Sequence, residues 1–196
     1  GEIAEGQREN TLVLVEHPSV YTAGKRTQDH ERPHDGTPVI DVDRGGKITW
    51  HGLGQLVGYP ILDLENFYTD IHLYLRMLEE AIIKTCEGFG LIAGRIEGLT
   101  GVWIDPASDK ARKICALGVK ASRWISMHGF ALNVNTDLTY FSHIVPCGIA
   151  TRGVTSLQQE LGREMDLQAV SDIVKAHLSD LFKMELVNVS RETLNA

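Results

Sequence analysis

Cys147 stands in the run Ile144-Val145-Pro146-Cys147-Gly148-Ile149, a thiol between a residue that fixes the approach of the chain and one that leaves space beside the backbone. A free thiol has a reference pKa of about 8.5, so near neutral pH only a few per cent is thiolate without a stabilising neighbour. Lys113, in Arg112-Lys113-Ile114-Cys115-Ala116-Leu117-Gly118, is a candidate for that neighbour because it interrupts an otherwise apolar run. An ammonium beside the sulfur favours the thiolate, and the neutral amine can take a proton from an incoming nucleophile. Together the two groups could carry acyl transfer through a covalent thioester. Each also has an ordinary reading. A lone cysteine is most often a small buried hydrophobe, which fits Cys86 within an apolar helix, and a strand-end lysine usually carries its amine to water. Spacing alone does not bring positions 113 and 147 together.

A glycine-rich run, Arg44-Gly45-Gly46-Lys47-Ile48-Thr49-Trp50-His51-Gly52, offers a wall against which a substrate backbone or acyl chain can lie. Its ordinary reading is a turn between two strands. It has neither the lysine–serine arrangement of a phosphate loop nor the dinucleotide fingerprint, so phosphate cradling is not indicated. His51-Gly52 and His128-Gly129 invite comparison with a metal pair, but no carboxylate or cysteine stands at ligand spacing beside them. We read both histidines as hydrogen-bonding wall residues and expect no metal.

The elements that must position these groups follow from periodicity and punctuation. Residues 11–15 read as a buried strand closed by Glu16-His17-Pro18, residues 24–37 as a charged surface loop, and 38–42 as a short strand leading to the glycine pair. A further apolar strand covers 55–64. Ile71, Leu75, Leu78 and Ile82 fall at helical spacing and predict a helix over 69–87, with Gly88 as its stop. A strand over 99–104 is broken by Asp105-Pro106. Residues 113–121 and 125–134 predict a hairpin around Ser122-Arg123. Asp166 is the expected N-cap of a last helix over 167–183, with Val170, Ile173, Val174, Leu178 and Leu181 inward. The pattern is that of one mixed α/β (α+β) domain over residues 1–196.

Charge and composition remove other classes. A net charge of −7 and a pI near 5.6 argue against a nucleic-acid partner, which requires a basic face. No apolar run approaches the roughly 18 residues of a spanning helix, so no membrane role is expected. Three widely spaced cysteines and no evident signal peptide fit a reducing compartment, hence a cytoplasmic protein.

Taken in order, the runs resemble the lipoyl(octanoyl) transferases. Glu16-His17-Pro18-Ser19-Val20-Tyr21-Thr22-Ala23-Gly24 resembles a first family signature, residues 44–55 a second, 113–118 a third, 128–133 a fourth, and 144–149 the loop of the nucleophile. The resemblance implies a fold shared with biotin and lipoate ligases, and a cysteine–lysine dyad that uses no ATP or other cofactor. It makes Cys147 the acyl carrier and Lys113 the group that lowers its pKa. The acyl site would be lined by Arg44, Gly45, Gly46, Lys47, Ile48, Thr49, Trp50 and His51, by Ala116, Leu117 and Gly118, and by Gly129, Phe130 and Ala131, with His128 in support. The implied donor is octanoyl-acyl carrier protein. The implied acceptors are lipoyl domains of 2-oxoacid dehydrogenase E2 subunits and the glycine cleavage H protein. Both partner classes are commonly acidic, so Lys25, Arg26, Lys47, Arg123 and Arg152 are expected to supply local positive charge.

The chain departs from the family pattern at three places. Leu53 replaces the usual proline in His51-Gly52-Leu53-Gly54-Gln55, which loosens a turn without removing a reacting group. Cys115 stands where alanine is commoner, raising a disulfide to Cys147 or sensitivity to oxidation. Only Gly1–Asn10 precede the first strand, where the family has a helical segment, so the chain is expected to be shortened there. Two other readings remain open. One is an ATP-dependent lipoate or biotin ligase, which needs no nucleophilic cysteine. The other is a non-catalytic acyl- or lipoyl-domain-binding module, which would tolerate loss of Cys147.

Overall fold

A computed structural model of the chain describes residues 9–144 and 152–189, together with Ile3, Glu5 and Gly6. In chain order the strands are β1 (Thr11–Val15), β2 (Val20–Ala23), β3 (Val39–Asp41), β4 (Thr49–His51), β5 (Gln55–Ile61), β6 (Ala93–Ile96), β7 (Leu99–Ile104), β8 (Arg112–Ser122), β9 (Ile125–Asn133) and β10 (Gly153–Val154). The helices are α1 (Ile71–Gly88), α2 (Leu157–Leu161) and α3 (Leu167–Phe182), with 3-10 turns at Asp29–Glu31, Leu64–Asn66 and Leu138–His143. The larger sheet has the order β1-β5-β9-β8-β7-β6, with β10 added in parallel to the start of β8. The smaller has the order β3-β2-β4, β3 being parallel and β4 antiparallel to β2.

Local chemistry sets the helix limits. The Asp70 carboxylate accepts from the backbone N–H groups of His72 and Leu73, and the Asp166 carboxylate from those of Gln168 and Ala169, so each satisfies donors that a helix start leaves open. In α1 the buried Tyr74, Leu78, Ala81, Ile82 and Cys86 form one stripe. This stripe and the inward face of α3 cover one side of the larger sheet, where they enclose the main core with Leu56, Val102, Ile114, Phe130 and Leu132. A second, smaller core of Tyr21, Ile48, Trp50, Phe141 and Ile144 backs the smaller sheet.

The mixed α+β expectation holds, with local differences. Among the described residues β1 pairs only with β5, so it is a half-buried edge strand rather than a buried one. The hairpin turns on Arg123 and Trp124, both at positive φ (50° and 57°), one residue later than Ser122-Arg123. A two-residue loop with positive φ at both centres matches the strands' twist, and no glycine marked the place. From the sequence no separate element is expected at β2, β4, β6, β10 or α2. No helix among the described residues is long and apolar enough to cross a membrane.

Candidate active site

Between the two sheets lies a cavity of about 430 Å³, in the range of small-molecule sites. Strand alternation builds it. On β5, Leu56 points into the main core while Val57 and Tyr59 border the cavity; on β9, Leu132 goes to the core and Gly129 and Ala131 to the cavity. From the smaller sheet come Val20 and Thr22 on β2 and Thr49 and His51 on β4. The sheets approach where Gly45 meets Gly118. The Gly45 N–H donates to the Val119 carbonyl at 3.3 Å, and a Cβ on Gly118 would stand 2.8 Å from the Gly45 carbonyl oxygen.

Lys113 faces this cavity and is only 7 % exposed. Its amine lies over the Trp103 ring, 4.7 Å from the centroid, and among the described residues it has no ion pair or hydrogen-bonded partner. A register shift puts it there. Trp103 is opposite Lys113 but Val102 is opposite Cys115, so β8 carries one extra residue. Ile114 and Cys115 both enter the main core, leaving Lys113 and Ala116 on the cavity side. Without the shift, alternation would put Lys113 on the same face as Cys115.

Cys147 lies outside the described residues. Before the undescribed segment, Ile144 is buried in the second core. After it, Gly153 and Val154 pair with Arg112 and Lys113, and the Thr155 N–H donates to the Lys113 carbonyl at 2.9 Å. Cys115 is fully buried on the helix side of the sheet, and burial pushes its thiol well above the ordinary value. That is the face opposite the Lys113 side chain; the pairing with Cys147 raised from sequence falls on a residue outside the described ones.

The remaining expected residues divide by position. Arg44, Gly46, Lys47, Thr49 and His51 border the cavity, as do Ala116, Leu117, Gly118, His128, Gly129, Phe130 and Ala131. Gly45, Ile48 and Trp50 do not. Ile48 and Trp50 alternate to the opposite face of their strand, where Trp50 stacks on Tyr140 (4.5 Å, 4° between planes) and donates from Nε1 to the Ser19 hydroxyl at 3.0 Å. Gly45 serves the sheet–sheet approach instead. Phe130 borders the cavity while its ring belongs to the main core, over Gly58. Arg44 works as a clamp: its guanidinium donates to the carbonyls of Thr22 (2.8 Å), Gly45 (3.1 Å) and Lys47 (2.7 Å) and to the Thr22 hydroxyl (3.0 Å).

A chain of hydrogen bonds fixes the state of His51. Asn133 donates to the Thr155 carbonyl (2.9 Å) and accepts from Gln55 Nε2 (2.9 Å), which leaves Gln55 Oε1 to accept from His51 Nδ1 at 2.8 Å. His51 Nε2 is then an acceptor, facing the Thr22 hydroxyl at 3.3 Å. Burial pushes the His51 pKa down to about 4, so the ring is neutral near pH 7. Beside it, His17 Nε2 meets the Tyr59 hydroxyl at 2.6 Å. Burial would raise the Glu31 carboxyl, but the Lys47 ammonium and the Gln28 N–H on its oxygens prevail and hold it below the usual range. Asp43 bridges Lys120 (2.5 Å) and His128 (2.7 Å), which lower its carboxyl to about 2. Among the described residues no cluster of histidine, cysteine or carboxylate side chains could hold a metal. Thr22, Tyr59, Gln55 and Asn133 were not singled out from sequence, although the first, third and fourth lie within the quoted signatures. Trp103 and Gly101 carried no signal at all.

The model of the lipoyl protein ligase A/B catalytic domain matches residues 1–179. An octanoyltransferase of Cytophaga hutchinsonii is 55 % identical over 94 % of this chain and 79 % of its own length. Another, of Salinispora tropica, is 55 % identical over 92 % of this chain and 85 % of its own. Among solved structures, a bi-partite lipoate protein ligase from Thermoplasma acidophilum, described with its E2 lipoyl domain, superposes with a TM-score of 0.74 at 16 % identity, covering 96 % of this chain and 78 % of that one. The last likeness concerns fold alone.

Proposed function

The chain belongs to the lipoyl protein ligase A/B catalytic domain family, and we propose that it is an acyltransferase of the octanoyl-transferring kind, working through Cys147 and Lys113. The donor is octanoyl-acyl carrier protein. The acceptor is a lysine of a lipoyl domain, on a 2-oxoacid dehydrogenase E2 subunit or the glycine cleavage H protein. One observation carries the reading: the Lys113 amine is buried and turned into the cavity, with no anionic partner among the described residues. A desolvated cation of this kind is stabilised by an anion such as a thiolate. Val154, the register partner of Lys113, follows Cys147 by seven residues, a span of at most about 25 Å.

In the first half-reaction the Cys147 thiolate attacks the thioester carbonyl. The carbon–sulfur bond to the carrier breaks, and the carrier thiolate leaves with a proton from the Lys113 ammonium. The acyl-enzyme keeps the thioester bond energy. In the second half the acceptor amine attacks and gives a proton to the now neutral Lys113. The Cys147 thiolate leaves, and formation of an amide from a thioester drives the step. The apolar part of the cavity, Val20, Val57, Leu99, Leu117 and Ala131 among it, suits the alkyl chain. Each buried methylene contributes about 0.8 kcal/mol, so the depth of the apolar part of the cavity would set the chain length preferred.

Intact-protein mass spectrometry after mixing with octanoyl-acyl carrier protein, without ATP, tests this. The expected result is one octanoyl group, labile to hydroxylamine and absent from Cys147→Ser. Transfer that appears only with ATP and free fatty acid would assign the chain to the ligases instead.

A further inference from the structure

Glu79 is fully buried on α1, on the helix side of the larger sheet. Its Oε2 accepts from Arg76 Nη1 (2.5 Å) and Arg95 Nε (3.0 Å), while Oε1 accepts from the backbone N–H of Gly101 at 3.0 Å. Gly101 has φ +129° and immediately precedes the register shift between β7 and β8. A Cβ on it would stand 2.9 Å from the Cys115 carbonyl oxygen and 3.0 Å from Lys113 Cε, so the Lys113 stem lies across the glycine. The carboxylate thus grips one edge of the bulge from below, and Lys113 leaves the bulge above.

We propose that Glu79 is a positioning residue for the Lys113 amine: by holding the Gly101 N–H it maintains the bulge that turns Lys113 away from the core face and over Trp103 into the cavity. The catalytic consequence rests on the function proposed above; the geometric part does not. Only a carboxylate meets both demands. It presents acceptors to the arginines on one side and to the Gly101 N–H on the other, whereas an amide has one accepting atom and turns N–H groups against one of the two. The Gly101 N–H is the buried side, whereas Arg76 and Arg95 are partly exposed; in Glu79→Gln the side chain loses the charge by which the two guanidiniums hold it, so the bulge loosens and Lys113 is released.

NMR of Lys113 tests the placement directly. Its Nζ lies over an indole ring, so in the wild-type chain the adjoining ε-methylene protons should resonate upfield of ordinary lysines, and Trp103→Leu should abolish that shift. In Glu79→Gln the shift collapses toward the ordinary value while the remaining spectrum stays folded. Glu80→Gln, which removes a neighbouring partner of Arg95 but leaves the Gly101 contact, keeps it. If Glu79→Gln does not fold, Glu79→Asp decides: it keeps the charge but falls one methylene short of Gly101, and the same collapse is expected. An unmoved Lys113 resonance in a folded position-79 variant overturns the proposal, as does a wild-type resonance with no upfield shift. A collapsed shift should lower kcat for acyl transfer at least tenfold, with KM for the donor changed less than twofold. If the resonance moves and kcat does not, the positioning stands and the role given to Lys113 in transfer fails.

Discussion

At His51 the pH dependence of stability has a definite sign. Its ordinary pKa of 6.5 falls to about 4 in the fold because burial penalises the charged ring. Between those values the unfolded chain binds a proton that the folded chain refuses, so stability is intact above about pH 6.5 and declines as pH falls toward 4. The thermal midpoint should therefore drop between pH 7 and pH 5, and in His51→Gln the drop should shrink by roughly 4 °C. An equal drop in both proteins would exclude His51 as the source. At Cys147 and Lys113 the prediction is chemical. Cys147→Ser should lose transfer at least a thousandfold, and Lys113→Ala should remain folded with a thiol that titrates higher than in wild type. Alkylation rate against pH reads the second effect, and identical profiles would remove Lys113 from the mechanism. The sequence singled out both residues by type and motif. It held no sign that Lys113 would lose its ordinary route to water, because that depends on Gly101 and Trp103, which lie on another strand.

Among the elements, the approach of the two sheets is the feature most exposed to test. A methyl group on Gly118 meets the Gly45 carbonyl at 2.8 Å, closer than carbon and oxygen normally stand. Gly118→Ala should cost about 1–3 kcal/mol in urea unfolding and raise KM for the donor, since the wall at Thr49 and His51 must move away from β8. Gly88→Ala, at the end of α1 with nothing within 4 Å, is the contrast and should be neutral or stabilising by up to about 1 kcal/mol. The start of α3 was legible from its Asp166 cap and the body of α1 from its helical spacing, both local signals, but α1 begins at Ile71 behind the Asp70 cap rather than at residue 69. The hairpin turn was misplaced by one residue because Arg123 and Trp124 adopt positive φ without a glycine to announce it. The glycine-rich run was read as one continuous wall, but a strand presents alternate residues to opposite faces. Thr49 and His51 face the cavity and Trp50 does not.

For the molecule as a whole, two cores carry different duties. Leu78→Ala in the main core should cost about 2–5 kcal/mol and leave kcat unchanged below the unfolding transition. Trp50→Leu in the second core removes the stack on Tyr140 and should lower both stability and kcat, because that core backs the cavity's far wall. Equal effects of the two substitutions on kcat would contradict the division, and paired urea melts and steady-state assays measure it. The amino-acid sequence by itself determined the ordered motifs, the two long helices with the Asp166 cap, most of the strands, and the residue types able to transfer an acyl group. Those are properties of neighbours along the chain. Only the tertiary structure decided which face each strand residue took once β8 gained its extra residue, and that Arg44 would spend its donors on backbone carbonyls. It also decided that a carboxylate on α1 would hold the glycine beneath Lys113. These outcomes come from contacts between segments far apart in sequence, which composition and periodicity do not encode.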